Sequence, residues 1–291
     1  MKKFIILISC LASQMVVSAQ NEGRFGIISG VNKTSMSNAA DNSFGDMLPT
    51  FKPTYGVEAG YHFTLFKSIP TGFTVQLTRN HAGQNYRGYY QDSSDYWAYR
   101  RLNYVRAGLG WHFGTNVRRQ VSATFTFGAT MGILTDFQDR YELRRYNNDR
   151  LIMDINDNDV SFYDTKNTKG TINNSLFNKT DMTIFASVGM DFLLSKRFVF
   201  GILARYDNGI SPVENTASKF SINYQTTPTT IQNYYPYNTK HIYRSPVDPS
   251  KVLRQETVNK YAGIYLTLKY RVFNKEKIEF WYKEHQKSNY Y

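Results

Sequence analysis

The stretch Val121-Ser122-Ala123-Thr124-Phe125-Thr126-Phe127-Gly128-Ala129-Thr130-Met131 decides the fold. Its odd positions are apolar, and its even positions are hydroxyl-bearing or glycine. A period of two is the signature of a β-strand with one apolar face and one polar face. The same alternation returns in Phe73, Val75 and Leu77 against Thr74, Gln76 and Thr78. It returns again in Ile264, Leu266, Leu268 and Tyr270 against Gly263, Tyr265, Thr267 and Lys269. Worked outward, the pattern predicts strands at about 24–32, 55–65, 72–81, 101–113, 120–133, 181–193, 197–206 and 260–273.

A soluble sandwich also alternates, so the connections choose between a protein core and lipid. Those after the second, fourth and sixth strands are short: Lys67 to Thr71, Gly114 to Arg119, and Ser195-Lys196. The others, 33–54, 82–100, 134–180 and 207–259, are long and polar. Short turns on one side and long loops on the other are the habit of a transmembrane barrel. Segments of this length also match the ~9–11 residues of a tilted spanning strand. Tyr61, Phe63, Trp111, Phe113, Phe192, Phe198 and Tyr270 gather where strands meet the short turns, as an interfacial girdle does. The expected fold is all-β: an eight-stranded antiparallel transmembrane β-barrel with four long external loops and short periplasmic turns. The expected location is the outer membrane of a Gram-negative envelope, with both ends of the barrel periplasmic.

The first residues predict export. Lys2 and Lys3 precede the apolar run Phe4 to Val17, and Val17-Ser18-Ala19 reads as a cleavage site, so residues 1–19 are taken as a signal peptide. Leu7-Ile8-Ser9-Cys10 resembles a lipobox, but the apolar run continues past Cys10 and favours cleavage after Ala19. Cleavage there removes the one cysteine, which excludes disulfides, thiolate metal sites and cysteine nucleophiles. The barrel is assigned to 20–273 and a periplasmic tail to 274–291. In that tail Ile278, Phe280, Trp281 and Tyr282 stand among lysines, a composition suited to headgroups or a periplasmic partner.

The whole chain has 35 Lys and Arg against 23 Asp and Glu. Without the two signal lysines the balance is 33 to 23, a net +10. Such a charge attracts anionic surfaces; for an exported protein these are lipopolysaccharide phosphates rather than nucleic acid. The expected partners are outer-membrane lipid, lipopolysaccharide and an envelope protein, with the barrel a monomer. No cofactor and no metal is expected.

Arg101-Leu102-Asn103-Tyr104-Val105-Arg106-Ala107-Gly108-Leu109-Gly110-Trp111-His112-Phe113-Gly114 resembles the fourth-strand signature of the Bacteroidota outer-membrane β-barrel family that includes PorT-like proteins. Val105-Arg106-Ala107 stands where family members carry a proline. The resemblance covers about 24–273 and implies an eight-stranded barrel without naming a substrate. Gly263, Tyr265, Leu268, Tyr270, Val272 and Phe273 resemble an aromatic-ending terminal strand read by barrel-assembly machinery.

If the apolar alternates face lipid, Glu58, Arg106, Asp191, Arg205, Lys269 and Arg271 must point inward, because a charge facing hydrocarbon costs several kcal/mol. An eight-stranded barrel is only wide enough for its side chains. Two readings of these six stay open: an ionic plug, or a selective path for an anionic or polar solute. His62 and His112 occupy matching rim positions, fit for hydrogen bonding or for two ligands of a metal site. Asp154 to Asp159 resembles the start of a calcium loop but lacks the required Gly and Glu.

Tyr86, Arg87, Tyr89, Tyr96 and Trp97 in the second insertion, with Tyr234, Tyr235 and Tyr237 in the fourth, interleave aromatics with bases. Tyr, Trp and Arg dominate binding hot spots, and aromatic rings also stack on sugars or on one another. His81 and His241 are the outer histidines, and neither sits in a triad spacing. The function expected is non-enzymatic: surface recognition, anchoring, or service to an envelope or secretion complex. The alternatives are a small pore and, less favoured, a lipid A-modifying enzyme.

Overall fold

The computed structural model describes residues 22–37, 46–48, 50–65, 69–90, 94–115, 120–145, 150–156, 159–163, 169–172, 175–215, 220–222, 243–244, 252–253 and 257–273. Residues 1–19, the expected signal peptide, and 274–291, the expected tail, lie outside them. Eight long strands form the barrel: β1 Glu22–Ser37, β2 Thr50–Leu65, β3 Ile69–Tyr90, β4 Ser94–Gly114, β5 Val121–Arg145, β6 Thr180–Leu193, β7 Phe198–Gly209 and β8 Val258–Phe273. Each pairs antiparallel with its sequence neighbour, and β8 pairs with β1 from Phe273↔Glu22 to Val258↔Ser37, so the sheet closes. Closure removes every edge, which a strand in hydrocarbon cannot leave unpaired.

The parity read from sequence holds along the wall. Phe25, Ile27, Val57, Val75, Leu77, Leu109, Phe125, Ile184, Val188 and Ile264 all face outward and are exposed, a continuous apolar band that only lipid satisfies. At the short-turn end Phe63, Phe73, Trp111 and Phe113 touch in sequence, with Phe73 and Trp111 edge to face at 4.2 Å. Phe198 and Tyr270 meet at 5.4 Å on the next arc.

The external segments differ from expectation. The stretch 82–100, expected as a free loop, is hairpin: β3 and β4 stay paired as far as Tyr90↔Ser94. Likewise β5 runs on to Arg145, and the short strands Arg150–Asn156, Asp159–Tyr163, Lys169–Ile172 and Phe220–Ile222 extend its sheet sideways. Strand Asp46–Leu48 pairs with β3 on the other flank. At 22, 21 and 25 residues, β3, β4 and β5 are about twice the ~9–11 needed to span. They project from the membrane as a sheet. These extensions carry polar residues on both faces, so period-two hydrophobicity cannot report them.

One irregularity governs that projection. Tyr104 pairs with Leu134 and Asn103 with Asp136, leaving Thr135 unpaired as a β-bulge. Below it the odd residues of β5 face lipid; above it Phe137 and Asp139 face inward and are buried. One extra residue reverses the parity of the strand.

Candidate functional site

The lumen is filled by a connected set of charged side chains. At the periplasmic end Glu22 binds Arg24 and Arg271, with Arg271 Nε donating to its Oε2 at 2.9 Å. Arg24 reaches from β1 to Asp191 on β6 at 2.9 Å. Asp191 also accepts from Lys269 Nζ at 3.2 Å, and Lys269 lies 3.5 Å from Glu58. Glu58 accepts from Gln76 at 3.2 Å, and Gln76 Oε1 accepts from Arg205 Nη1 at 2.6 Å. Arg205 grips Asp207 with two bonds of 2.8 Å, and Arg106 lies 3.5 Å from the same carboxylate.

All six sequence-predicted interior residues lie on this one network. Its longest step is the decisive one. β3 and β7 stand four strands apart in a ring of eight, so the Arg205–Gln76 bond spans the lumen. Arg205 also stacks on Phe185 at 3.8 Å, and Arg106 lies 4.5 Å from the Tyr261 ring centre. Asp181 accepts from Tyr261 at 3.0 Å and from Asn259 at 3.2 Å.

Counting this layer, Glu22, Glu58, Asp181, Asp191 and Asp207 stand with Arg24, Arg106, Arg205, Lys269 and Arg271, five acids with five bases. The sequence reading had two acids and four bases. Arg24 and Asp181 lie at inward positions inside their expected strands, whereas Glu22 and Asp207 lie two residues and one residue outside the expected strands 24–32 and 197–206. Extending the alternation from Gly26 back through Arg24, and from Arg205 on to Asp207, would have found them. Gly201 makes room here: a Cβ at that position meets Thr267 Oγ1 at 2.4 Å and Asp191 Oδ1 at 2.7 Å.

A second seal closes the outer mouth. Leu176 and Phe177, just before β6, lie inside beside Val213, joined by Asn178 N donating to Val213 O at 2.8 Å. Phe137 packs edge to face on Phe177 at 4.9 Å, and Arg100 lies 3.4 Å from Asp139. The bulge at Thr135 is what turns Phe137 and Asp139 toward this seal.

The histidines fall into place structurally. His62 and His112 meet edge to face at 4.8 Å, both buried, with His112 Nδ1 3.0 Å from Thr126 Oγ1. His81, expected as an outer histidine at the end of the third strand, lies within β3, is buried and hydrogen-bonds Asn103. Among the described residues, no group of three His, Cys, Asp or Glu could hold a metal ion.

On the projecting hairpin, Arg87 pairs with Trp97 and its guanidinium lies 4.8 Å from the ring centre. Trp97 stacks on Tyr99 at 6.4 Å with planes 9° apart. The backbones of Tyr86, Tyr89 and Tyr96 belong to the same hairpin. Tyr234, Tyr235 and Tyr237 lie outside the described residues.

Closed wall, lipid-facing band and filled lumen define an eight-stranded outer-membrane β-barrel. Solved structures of this architecture are similar to it at low identity. The attachment invasion locus protein Ail of Yersinia pestis is 10% identical, covering 86% of this chain and 99% of its own, TM-score 0.29. Neisserial surface protein A is 9% identical over 84% and 96%, TM-score 0.31. OprG of Pseudomonas aeruginosa is 9% identical over 88% and 98%, TM-score 0.36. Such likeness carries no role across. No protein-family model and no curated protein matches the chain.

Proposed function

We propose that this protein is a non-enzymatic, monomeric, closed barrel that anchors a recognition sheet on the cell surface. The lumen-spanning Arg205–Gln76 bond supports closure, because it blocks the path a solute would take. Burial of Arg106 in the ionic layer and of Arg100 in the outer seal supports it further. The recognition reading rests on the outward ladder of Arg87, Trp97 and Tyr99, residue types that dominate hot spots and stack on sugar rings. Against enzymatic use, His81 is buried and engaged with an amide rather than a nucleophile.

Membership in the Bacteroidota PorT-like barrel family is part of the proposal, on the Arg101 to Gly114 segment. So are export through residues 1–19 and docking of an envelope partner by 274–291. Reconstitution in planar bilayers tests closure: silent membranes are expected, and steady stepwise conductance would overturn it. Nanodisc-held protein on a glycan array tests recognition. Trp97→Ala and Arg87→Ala are each expected to lower binding by about tenfold, and unchanged binding counts against the ladder. Identical lipid A masses from deletion and overexpression strains are expected as well.

A further inference from the structure

A second set of cations faces outward, directly above the apolar band. The outward series on β1 runs Phe25, Ile27, Ser29, Val31 and then Lys33; on β3 it runs Val75, Leu77 and then Arg79. On β4 Leu109, Ala107 and Val105 are followed by Asn103 and Arg101, and on β8 Leu266, Ile264 and Ala262 by Lys260. These four strands and β2 are consecutive round the ring, in the order β8-β1-β2-β3-β4. The cations therefore occupy one arc. The remaining strands mix charges and neutral groups: Thr135 and Asp136 border the arc on β5, where Asp136 pairs with Asn103, and Lys179 and Ile210 lie beyond.

The register sorts the four into two pairs. Lys33 lies opposite Ala262 and Lys260 opposite Ser35, which makes the two lysines diagonal neighbours on one face. Arg79 lies opposite Val105, so Asn103 is its diagonal neighbour. Arg101, opposite Gly83, folds back down the strand to that residue, with Nε 3.4 Å from Asn103 Oδ1. Between the pairs β2 offers no outward charge; it presents Phe51 and Tyr55, 69% and 49% exposed. Among the described residues none of the four cations has a salt-bridge partner.

Asp136, bound to the Asn103 amide, is the acid nearest this arc; like charges gathered beside hydrocarbon repel one another, and an anion offsets that cost. The pair centres are about three strand spacings apart, roughly 14 Å, the reach of a disaccharide carrying a phosphate at each end. We propose that this arc binds a phosphorylated glycolipid of the outer leaflet. One phosphate sits between Lys33 and Lys260, the other between Arg79 and Arg101, and the sugars lie across Phe51 and Tyr55. Guanidinium groups bind phosphate through paired, charge-assisted hydrogen bonds, and aromatic rings favour this headgroup level. The site rests on the reading that the barrel spans the outer membrane with its long strands outside.

Native mass spectrometry of the full-length protein tests the site, with bis-phosphorylated lipid A, mono-phosphorylated lipid A and phosphatidylglycerol as probes. Bis-phosphorylated lipid A is expected to be retained best. Lys33→Gln with Lys260→Gln, and separately Arg79→Gln with Arg101→Gln, should each lower its retention by about tenfold. Mono-phosphorylated lipid A should respond to one pair and not to both. Lys179→Gln should leave retention unchanged, and heat-modifiable gel mobility reports that each variant is folded. Retention indifferent to both pairs, or phosphatidylglycerol held equally well, overturns the proposal. Conductance of the same preparations separates the two readings. A conducting barrel that keeps its lipid sinks the closed anchor, and a silent barrel that has lost lipid preference sinks the arc.

Discussion

The lumen and the outer rim use the same side chains in opposite ways. Inside, Arg24, Arg106, Arg205, Lys269 and Arg271 each face a carboxylate within 4 Å. Outside, Lys33, Arg79, Arg101 and Lys260 have no carboxylate partner among the described residues. A charge enclosed by protein must bring its counter-charge with it, whereas a charge at a membrane surface can find one in the leaflet. Paired charges become cross-links, and unpaired ones become ligand donors.

Substitutions break this comparison in order of size. Asp191→Asn removes the carboxylate that Arg24 and Lys269 share, leaving them Glu22 and Glu58, and breaking a buried ion pair costs about 3–5 kcal/mol. Urea unfolding of the vesicle-embedded barrel measures the loss, and a change near zero would mean that water already reaches this layer. Leu109→Arg puts a cation on the outward face, expected to cost about 2–4 kcal/mol at mid-membrane, read from the same titration. A neutral result there would dissolve the distinction between wall and lumen. Gln76→Leu removes hydrogen bonds to two charged partners, Arg205 and Glu58, each worth about 1.5–3 kcal/mol. Bilayers should remain silent, because Arg106 and Asp207 still close the section above. Tyr270→Leu loses the ring contact with Phe198 and should cost about 0.5–1.5 kcal/mol.

The membrane half of the fold was legible because hydrocarbon imposes a strict rule on every second residue. Val121 to Met131 shows it, and from it the inward direction of Arg106, Asp191 and Lys269 follows without coordinates. Legibility stopped where the solvent changed. Above the band both faces of β3 and β4 carry polar residues, so Gln84 to Tyr90 and Ser94 to Tyr99 read as loop although they are paired. The outer seal was hidden for a related reason. Asp139 and Phe137 acquire their direction from the bulge, and its one trace is the broken alternation Ile133-Leu134-Thr135-Asp136-Phe137. Which acid meets which base was also beyond the pattern. Parity gives the side of the wall but not the stagger of strands that brings Arg205 to Gln76.

The bond from Arg271 to Glu22 joins residues 249 positions apart, and the Tyr265–Asn32 bond joins residues 233 apart. Both cross the seam where the first strand meets the last. Closing so long a loop costs entropy before any contact repays it. The ring is therefore complete only when the two ends of the barrel sequence meet. Without β8, β1 would keep an open flank and Glu22 would lack its Arg271 partner, which a strand in hydrocarbon cannot sustain.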